Sequence, residues 1–265
     1  MRGFINSFVS NESAFGRVMN KVYIIICANL MFVLCSLPIV TIGASYAGLY
    51  HVMLKTLRGD GMISPFKQFL IGFKNNFKQA TIVWIAFVAL LIFGWYDVWL
   101  CQQAGEPISF LRYGIYAMGI LLVIVFIYIM PSIAAFEGNI RSHIRNAIYF
   151  AFHKPWWILV NVFFHVFPLY LTYSDPQFMP LYAFCWFFFG FGALCMMTSR
   201  LLIKDFNRFL PLVDDFGDFI LDEDGNKILP GSEAEKRYRE ENDSASGGYD
   251  KTEDEILEEM KKLDM

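Results

Sequence analysis

A chain of 265 residues that is 56% hydrophobic and holds 28 phenylalanines is more apolar than a soluble domain, which carries about 45–50% apolar residues. Its net charge of −3 is the balance of two unlike parts, +7 over residues 1–203 and −10 over residues 204–265. That composition excludes an ordinary soluble enzyme. The five cysteines contain no C-x-x-C pair and mostly lie inside apolar runs, so they read as buried free thiols rather than a disulfide or metal framework.

Residues 1–21 set Phe4, Ile5, Phe8 and Phe15 among Arg2, Arg17 and Lys21, the pattern of a short interfacial helix or of an ordered N-terminal loop. Val22–Leu37 is apolar apart from Asn29 and Ser36 and is followed by no small-residue cleavage site, so it reads as a retained span. Pro38 ends or kinks that helix. Helical spacing resumes over Ala44–Leu57, a rise of only about 21 Å against a hydrocarbon core of about 30 Å. An extended Ile39–Ile42 and the snorkelling side chains of Lys55 and Arg58 are expected to make up the difference.

Gly59-Asp60-Gly61 reads as a tight turn. Over Met62–Lys78, the residues Met62, Phe66, Phe69, Leu70, Phe73 and Phe77 share one helical face beside Lys67, Lys74 and Lys78, which predicts a basic amphipathic surface helix. Thr81–Leu100 is a span bordered by Trp84 on one side and by Trp95, Tyr96 and Trp99 on the other, as interfacial aromatic belts are. After a short polar loop at Gln102–Pro107, Leu111–Ala135 forms another span, interrupted by Pro131 and closed by Glu137-Gly138-Asn139. Ile140, Ile144, Ile148 and Phe152 recur every four residues beside Arg141 and Arg145, a second basic amphipathic helix. Trp156–Tyr173 and Met179–Leu202 are the last spans, joined by Ser174-Asp175-Pro176-Gln177.

Charge sets the sidedness. Segments 2–21, 55–78, 141–154 and 200–208 are basic, and 38–43, 101–110 and 174–178 are not. With Lys/Arg-rich loops cytoplasmic, the two sets alternate only if Pro38–Gly43 is an external hairpin, giving six crossings with both termini inside. The rival is a second segment that re-enters without crossing. The expected fold class is therefore all-α, a polytopic membrane bundle of about six spans over residues 1–205, with an acidic cytoplasmic tail over 206–265. Within the tail, Phe219–Leu229 reads as a hairpin around an Asp-Gly turn, and Glu240–Asp250 as a disordered linker. A capping box at Thr252 and Glu255 opens a terminal amphipathic helix. Asp222, Asp224 and Asn226 alternate as in a calcium loop, but the glycine is misplaced and no later glutamate falls at the required spacing, so the hairpin reading stands.

Polar residues inside apolar runs mark pathways or packing contacts. The candidates are Asn29, His51, Asp97, Glu137, Asn161 and His165. Asp97 and Glu137 read as interface anchors, Glu137 within reach of a basic loop residue. Asn161 and His165, four apart on one face, either line a polar cavity or hydrogen-bond a neighbouring helix. Pro38 shapes the first turn, and Gly43 and Gly48, each four residues from an alanine, suit close helix packing. The chain has no G-x-S-x-G, H-E-x-x-H, Walker A or dinucleotide fingerprint. No catalytic residue, cofactor or metal ligand is assigned, and an enzyme is not expected. The basic stripes face a lipid bilayer and imply no nucleic acid.

The first span with Asn29, Leu37-Pro38-Ile39-Val40-Thr41-Ile42-Gly43 and the following Leu49-Tyr50 resemble the YesL-like membrane proteins, a family of unknown function common in Gram-positive bacteria. Phe73-Lys74-Asn75-Asn76-Phe77-Lys78-Gln79-Ala80 and Arg145-Asn146-Ala147 are similar as well, and the resemblance covers roughly residues 1–205. It implies a multipass plasma-membrane protein whose genes accompany carbohydrate ABC importers, with the importer permease subunits as expected partners. It implies no established activity and says nothing of the tail. A small transporter or channel is the other functional expectation, and the oligomeric state stays open.

Overall fold

The computed structural model describes residues 14–59, 63–103, 110–214, 216–222 and 224–246. It is helical: α1 (Ala14–Cys35), α2 (Ile42–Arg58), α3 (Pro65–Gln103), α4 (Leu111–Ala135), α5 (Ile140–His153), α6 (Pro155–Ser174), α7 (Met179–Cys185), α8 (Phe191–Phe206) and α9 (Glu233–Ser246). A π-helical turn, Trp186–Gly190, joins α7 to α8. Five stretches among the described residues are long and apolar enough to cross a membrane: Phe15–Cys35, Pro65–Gln103, Leu111–Ala135, Pro155–Ser174 and Pro176–Phe206. The chain is a membrane protein.

The first turn differs from its expected form. Pro38 is extended, with φ −75° and ψ 116°, but Ile39–Thr41 then forms a 3₁₀ turn rather than an extended strand. Thr41 is the reason. Its hydroxyl lies 2.6 Å from the Cys35 carbonyl and 2.7 Å from that of Pro38, and its N–H donates to Pro38 as well. The indole N–H of Trp84 donates to the Ile39 carbonyl at 2.9 Å. The turn thus satisfies its own backbone while leaving Leu37, Ile39 and Val40 exposed.

The chain turns straight into α2, whose 17 residues span about 26 Å. Eleven of those 17 are buried, whereas only five of the 39 in α3 are, so α2, which is not among the five membrane-length stretches, is the core helix and the longer ones wrap it. The close approach comes from glycine. A Cβ on Gly43 would stand 2.4 Å from the Ala80 carbonyl oxygen and 2.5 Å from the Trp84 Cβ, and one on Gly48 would stand 3.1 Å from the Phe69 carbonyl oxygen.

The basic amphipathic segment 62–78 and the span 81–100 are one continuous helix, α3, about 58 Å long. No breaker separates the two apolar patterns, because Asn75 and Asn76 do not interrupt the ladder and the Asn76 amide donates back to Gly72 at 2.9 Å. Between Ile82 and Phe126 none of the described residues is buried. There α3 and α4 meet through Phe87, stacked on Phe126 at 4.0 Å between ring centroids, and Phe126 in turn stacks on Tyr46 of α2 at 6.4 Å. Helix α5 follows the expected bounds closely. His143 on it is buried, and burial pushes its imidazole below the ordinary value, so it adds no charge to the basic face carried by Arg141 and Arg145.

The acidic tail begins as a folded cap. Leu212, Ile220 and Ile228, eight residues apart, close a ring of backbone bonds: Leu212 N–H to Ile228, Ile228 N–H to Ile220, and Ile220 N–H to Leu212. Two tandem Asp-x-x-Gly turns supply the reversals. Asp214 accepts from the N–H groups of Phe216 and Asp218, and Asp222 from those of Asp224 and Asn226. Gly217 and Gly225 take φ of +73° and +80°, which only glycine adopts without strain. The expected hairpin at Phe219–Leu229 is the second of these two. The cap sits on the end of α2: Lys55 pairs with Asp218 at 2.5 Å, and Arg58 donates to Asn207 and to the Pro211 carbonyl.

Beyond the cap, Ser232 and Glu235 start α9. The Ser232 hydroxyl accepts from the Glu235 N–H, and Gly231 N–H donates to the Glu235 carboxylate, which together with Arg239 lies below the usual carboxylate range. Residues 240–246, expected to belong to a disordered linker, continue this helix. The interfacial reading of residues 1–13, the turn at 60–61, most of the 102–107 loop and the terminal helix from Thr252 lie outside the described residues.

Candidate functional site

Two polar constellations sit inside the bundle. The first is built on Asn29 in the middle of α1. The π turn Trp186–Gly190 shifts hydrogen bonding away from the i→i−4 ladder and leaves backbone groups unpaired. Asn29 answers them. Its amide nitrogen donates to the carbonyls of Trp186 at 3.1 Å and Phe187 at 2.7 Å, and its carbonyl oxygen accepts from Gly192 N–H at 2.8 Å. Donors and acceptors fix the orientation of the amide, and the residue is fully buried. Gly192 permits the approach, since a Cβ there would lie 3.0 Å from Ile25. Trp186 is itself tied to α6 by its indole N–H, 2.9 Å from the Thr172 hydroxyl.

The second constellation joins α2, α4, α6 and α8. Asn161 accepts from the Thr198 hydroxyl at 2.8 Å, the cross-helix bond that one of the two open readings requires. His165, its partner on the same face, instead holds the Asn161 carbonyl of its own helix through Nδ1 at 2.9 Å. Tyr50 faces Thr198 and Tyr46, and Tyr128 faces Asn161. Tyr50 Oη on α2, Asn161 Nδ2 and His165 Nε2 on α6, Ser199 Oγ on α8 and Ser132 Oγ on α4 are enclosed and make no hydrogen bond of ordinary length, as is true elsewhere of Ser36, Thr81 and His143.

The other candidates are dispersed. Pro38, Gly43 and Gly48 shape the α1–α2–α3 packing described above. His51 packs against Gly72 of α3, where an added Cβ would come within 2.5 Å. Asp97 is partly exposed near the end of α3. Glu137 finds its basic partner outside its own loop region, in the tail, where Lys227 lies 2.7 Å away and over the Phe219 ring. Lys154 and Asp205 form an ion pair at 2.7 Å beside the second constellation's helices. Thr198 and Lys227 escaped sequence reasoning, and Trp84 and Tyr50 were singled out only as a belt aromatic and as part of a motif. The Thr198-Ser199 pair inside an apolar run was the one available signal for the α8 contribution.

The family comparison falls on the α1–α3 part of the chain. Residues 25–98 match a family described as Protein of unknown function, DUF624. Over this stretch the chain is similar to that family. That region takes in most of α1, the Pro38 turn, α2 and α3 almost to its end, which is the glycine-packed core and its Asn29 clamp. "Uncharacterized protein YesV" of Bacillus subtilis (strain 168) is 26% identical over 144 residues, covering 54% of this chain and 69% of that protein. Both findings support the resemblance to the YesL-like family. No solved structure matches.

Proposed function

We propose that this protein is a non-enzymatic accessory or regulatory component of the plasma membrane that associates with a carbohydrate ABC importer. The observation that carries the accessory reading is the α3–α4 hairpin, whose described residues from Ile82 to Phe126 are unburied and open much of its length to another protein's membrane helices. The importer as partner rests on the YesL-like resemblance alone. The most specific intramembrane polar group, Asn29, is spent on holding the bundle together, which suits a scaffold better than a pathway. Affinity purification from crosslinked native membranes is expected to recover ABC permease subunits at yields near those of the bait. Recovery of the bait alone would sink this reading.

Both termini are assigned to the cytoplasm, on the strength of the charge alternation and of the folded cap seated on Lys55 and Arg58. A cysteine at Leu37, 74% exposed at the tip of the first turn, should react with a membrane-impermeant maleimide added outside intact cells. Reaction only after the cytoplasmic face is opened would reverse the topology. The second reading, a small transporter, is favoured by the unpaired atoms around Asn161. Proteoliposomes that pass no sugar or ion from a panel would remove it.

A further inference from the structure

We propose that the exposed faces of α3 over Phe66–Lys78 and of α5 over Arg141–Phe152 form a seat for the headgroups of anionic membrane lipids, with Lys74, Lys78, Arg141 and Arg145 meeting the phosphates. This goes beyond the accessory reading and rests on neither the importer nor the sidedness of the chain. The structure divides the apolar residues of α3 that the sequence places on one face. Phe69 is buried and Phe73 half-buried against α2, whereas Phe66, Leu70 and Phe77 stay exposed beside Lys67, Lys74 and Lys78. Helix α5 repeats the arrangement. Its Ala147, Phe150 and Ala151 are buried, and Ile144, Ile148 and Phe152 are exposed among Arg141 and Arg145. An exposed helix face that mixes large apolar side chains with cations suits the boundary of a bilayer, where the first enter the acyl region and the second reach the headgroups.

One contact ties the two basic helices together. The side-chain amide of Gln79, next to Lys78, donates to the Gly138 carbonyl at 2.8 Å, three residues before Arg141. Glu137, Asp205 and Asp218, the carboxylates at this end of the bundle that make ion pairs, are taken by Lys227, Lys154 and Lys55. Lys74, Lys78, Arg141 and Arg145 are exposed and form no ion pair among the described residues. No charged residue follows Lys78 on α3 before Asp97, so the lysines stand at the edge of an apolar, lipid-facing surface. An anionic lipid neutralises such cations, whereas a zwitterionic one brings a cation of its own. The acidic segment 247–265 of this chain has the right charge too. Lipid is the better match, because the face of α3 runs without a break into its membrane span.

The test reconstitutes the full chain in phosphatidylcholine bilayers and compares spin-labelled phosphatidylglycerol with spin-labelled phosphatidylcholine by electron paramagnetic resonance. The fraction of each probe immobilised by the protein gives its relative association. At low salt the phosphatidylglycerol probe is expected to associate at least about threefold more strongly. At about 1 M salt, where the screening length is about 3 Å, the preference should fall toward unity. Lys74→Gln, Lys78→Gln, Arg141→Gln and Arg145→Gln together should abolish it, with the phosphatidylcholine fraction unchanged as the sign of an intact bundle. Lys236→Gln with Arg237→Gln, exposed cations of α9, should leave it intact. Equal association of the two probes with the unsubstituted chain would overturn the proposal, as would a preference that the fourfold variant keeps. A preference that appears only on deletion of 247–265 would give the face to that segment and overturn it as well. Failure to recover an importer would leave these results untouched, and the reverse also holds.

Discussion

Asn29→Leu is expected to lower the thermal midpoint of the detergent-solubilised protein by at least about 4 °C, through the loss of three hydrogen bonds, two to the π turn and one to Gly192 at the start of α8. Polar contacts between membrane helices often count for little, about 0.6 kcal/mol on average, because the separated helices find other partners. That discount does not apply well here. The groups left behind are backbone atoms of a turn already withdrawn from the α-helical ladder, and the usual charge for stranding such atoms is about 1–3 kcal/mol each. A total of at least about 2 kcal/mol follows, and about 2–4 °C per kcal/mol is the exchange rate for a chain of this size. A π turn closes a ring one residue longer than an α turn. Removing one residue from Trp186–Gly190 in the Asn29→Leu background should therefore return the segment to α-helix and restore much of the midpoint. If the deletion makes matters worse while Asn29→Leu alone is neutral, Asn29 does not hold the turn. Differential scanning fluorimetry and size-exclusion yield give both answers.

How far this was legible depends on the kind of signal. Spans such as Leu111–Ala135 were readable to the residue, because hydropathy and length carry them and Pro131 is tolerated near the end of a long apolar helix. The continuity of α3 was not readable, since a basic amphipathic pattern and an apolar one meet at Gln79–Thr81 without a breaker, and hydropathy alone cannot say whether the axis bends there. Asn29 stood out as an intramembrane polar residue, but its purpose required the π turn, and Trp186-Phe187-Phe188-Phe189-Gly190 announces no such turn. Glu137 was expected within reach of a basic loop residue, and its base instead comes from the tail. Its partner Lys227 was invisible because ninety residues separate them and the tail looked like solvated acid. The tail's order came from a repeat of Asp-x-x-Gly at eight-residue spacing, of which the second copy alone was recognised. Asn161 was left between cavity and helix contact. The helix contact is present, its oxygen being bonded across to α8.

A graded glycine series tests the α2–α3 contact that the DUF624-like stretch contains. Gly43→Ala is expected to be the most damaging of three single-methyl additions, Gly48→Ala intermediate, and Gly119→Ala harmless. The order follows from what the new Cβ meets. At Gly43 it would overlap a backbone oxygen at 2.4 Å and the Trp84 Cβ at 2.5 Å, neither of which moves without displacing α3. At Gly48 the nearest atoms, Phe69 O and Phe73 N, are 3.1 and 3.2 Å away, so a few tenths of an ångström suffice. At Gly119 no atom lies within 4 Å, and alanine should gain the roughly 0.5–1 kcal/mol that glycine forfeits inside a helix. Overpacking costs about 1–3 kcal/mol and sometimes more, so Gly43→Ala should lose at least about 3 kcal/mol, enough to cut the folded yield severely. Its effect also reaches the turn. Pushing α3 away withdraws the Trp84 indole from the Ile39 carbonyl, leaving that oxygen the Ile42 N–H alone, and the Leu37 position should become more reactive to maleimide. Equal midpoints for Gly43→Ala and Gly119→Ala would mean that the helices are not in contact at Gly43, and that α2 is not the core about which the others pack.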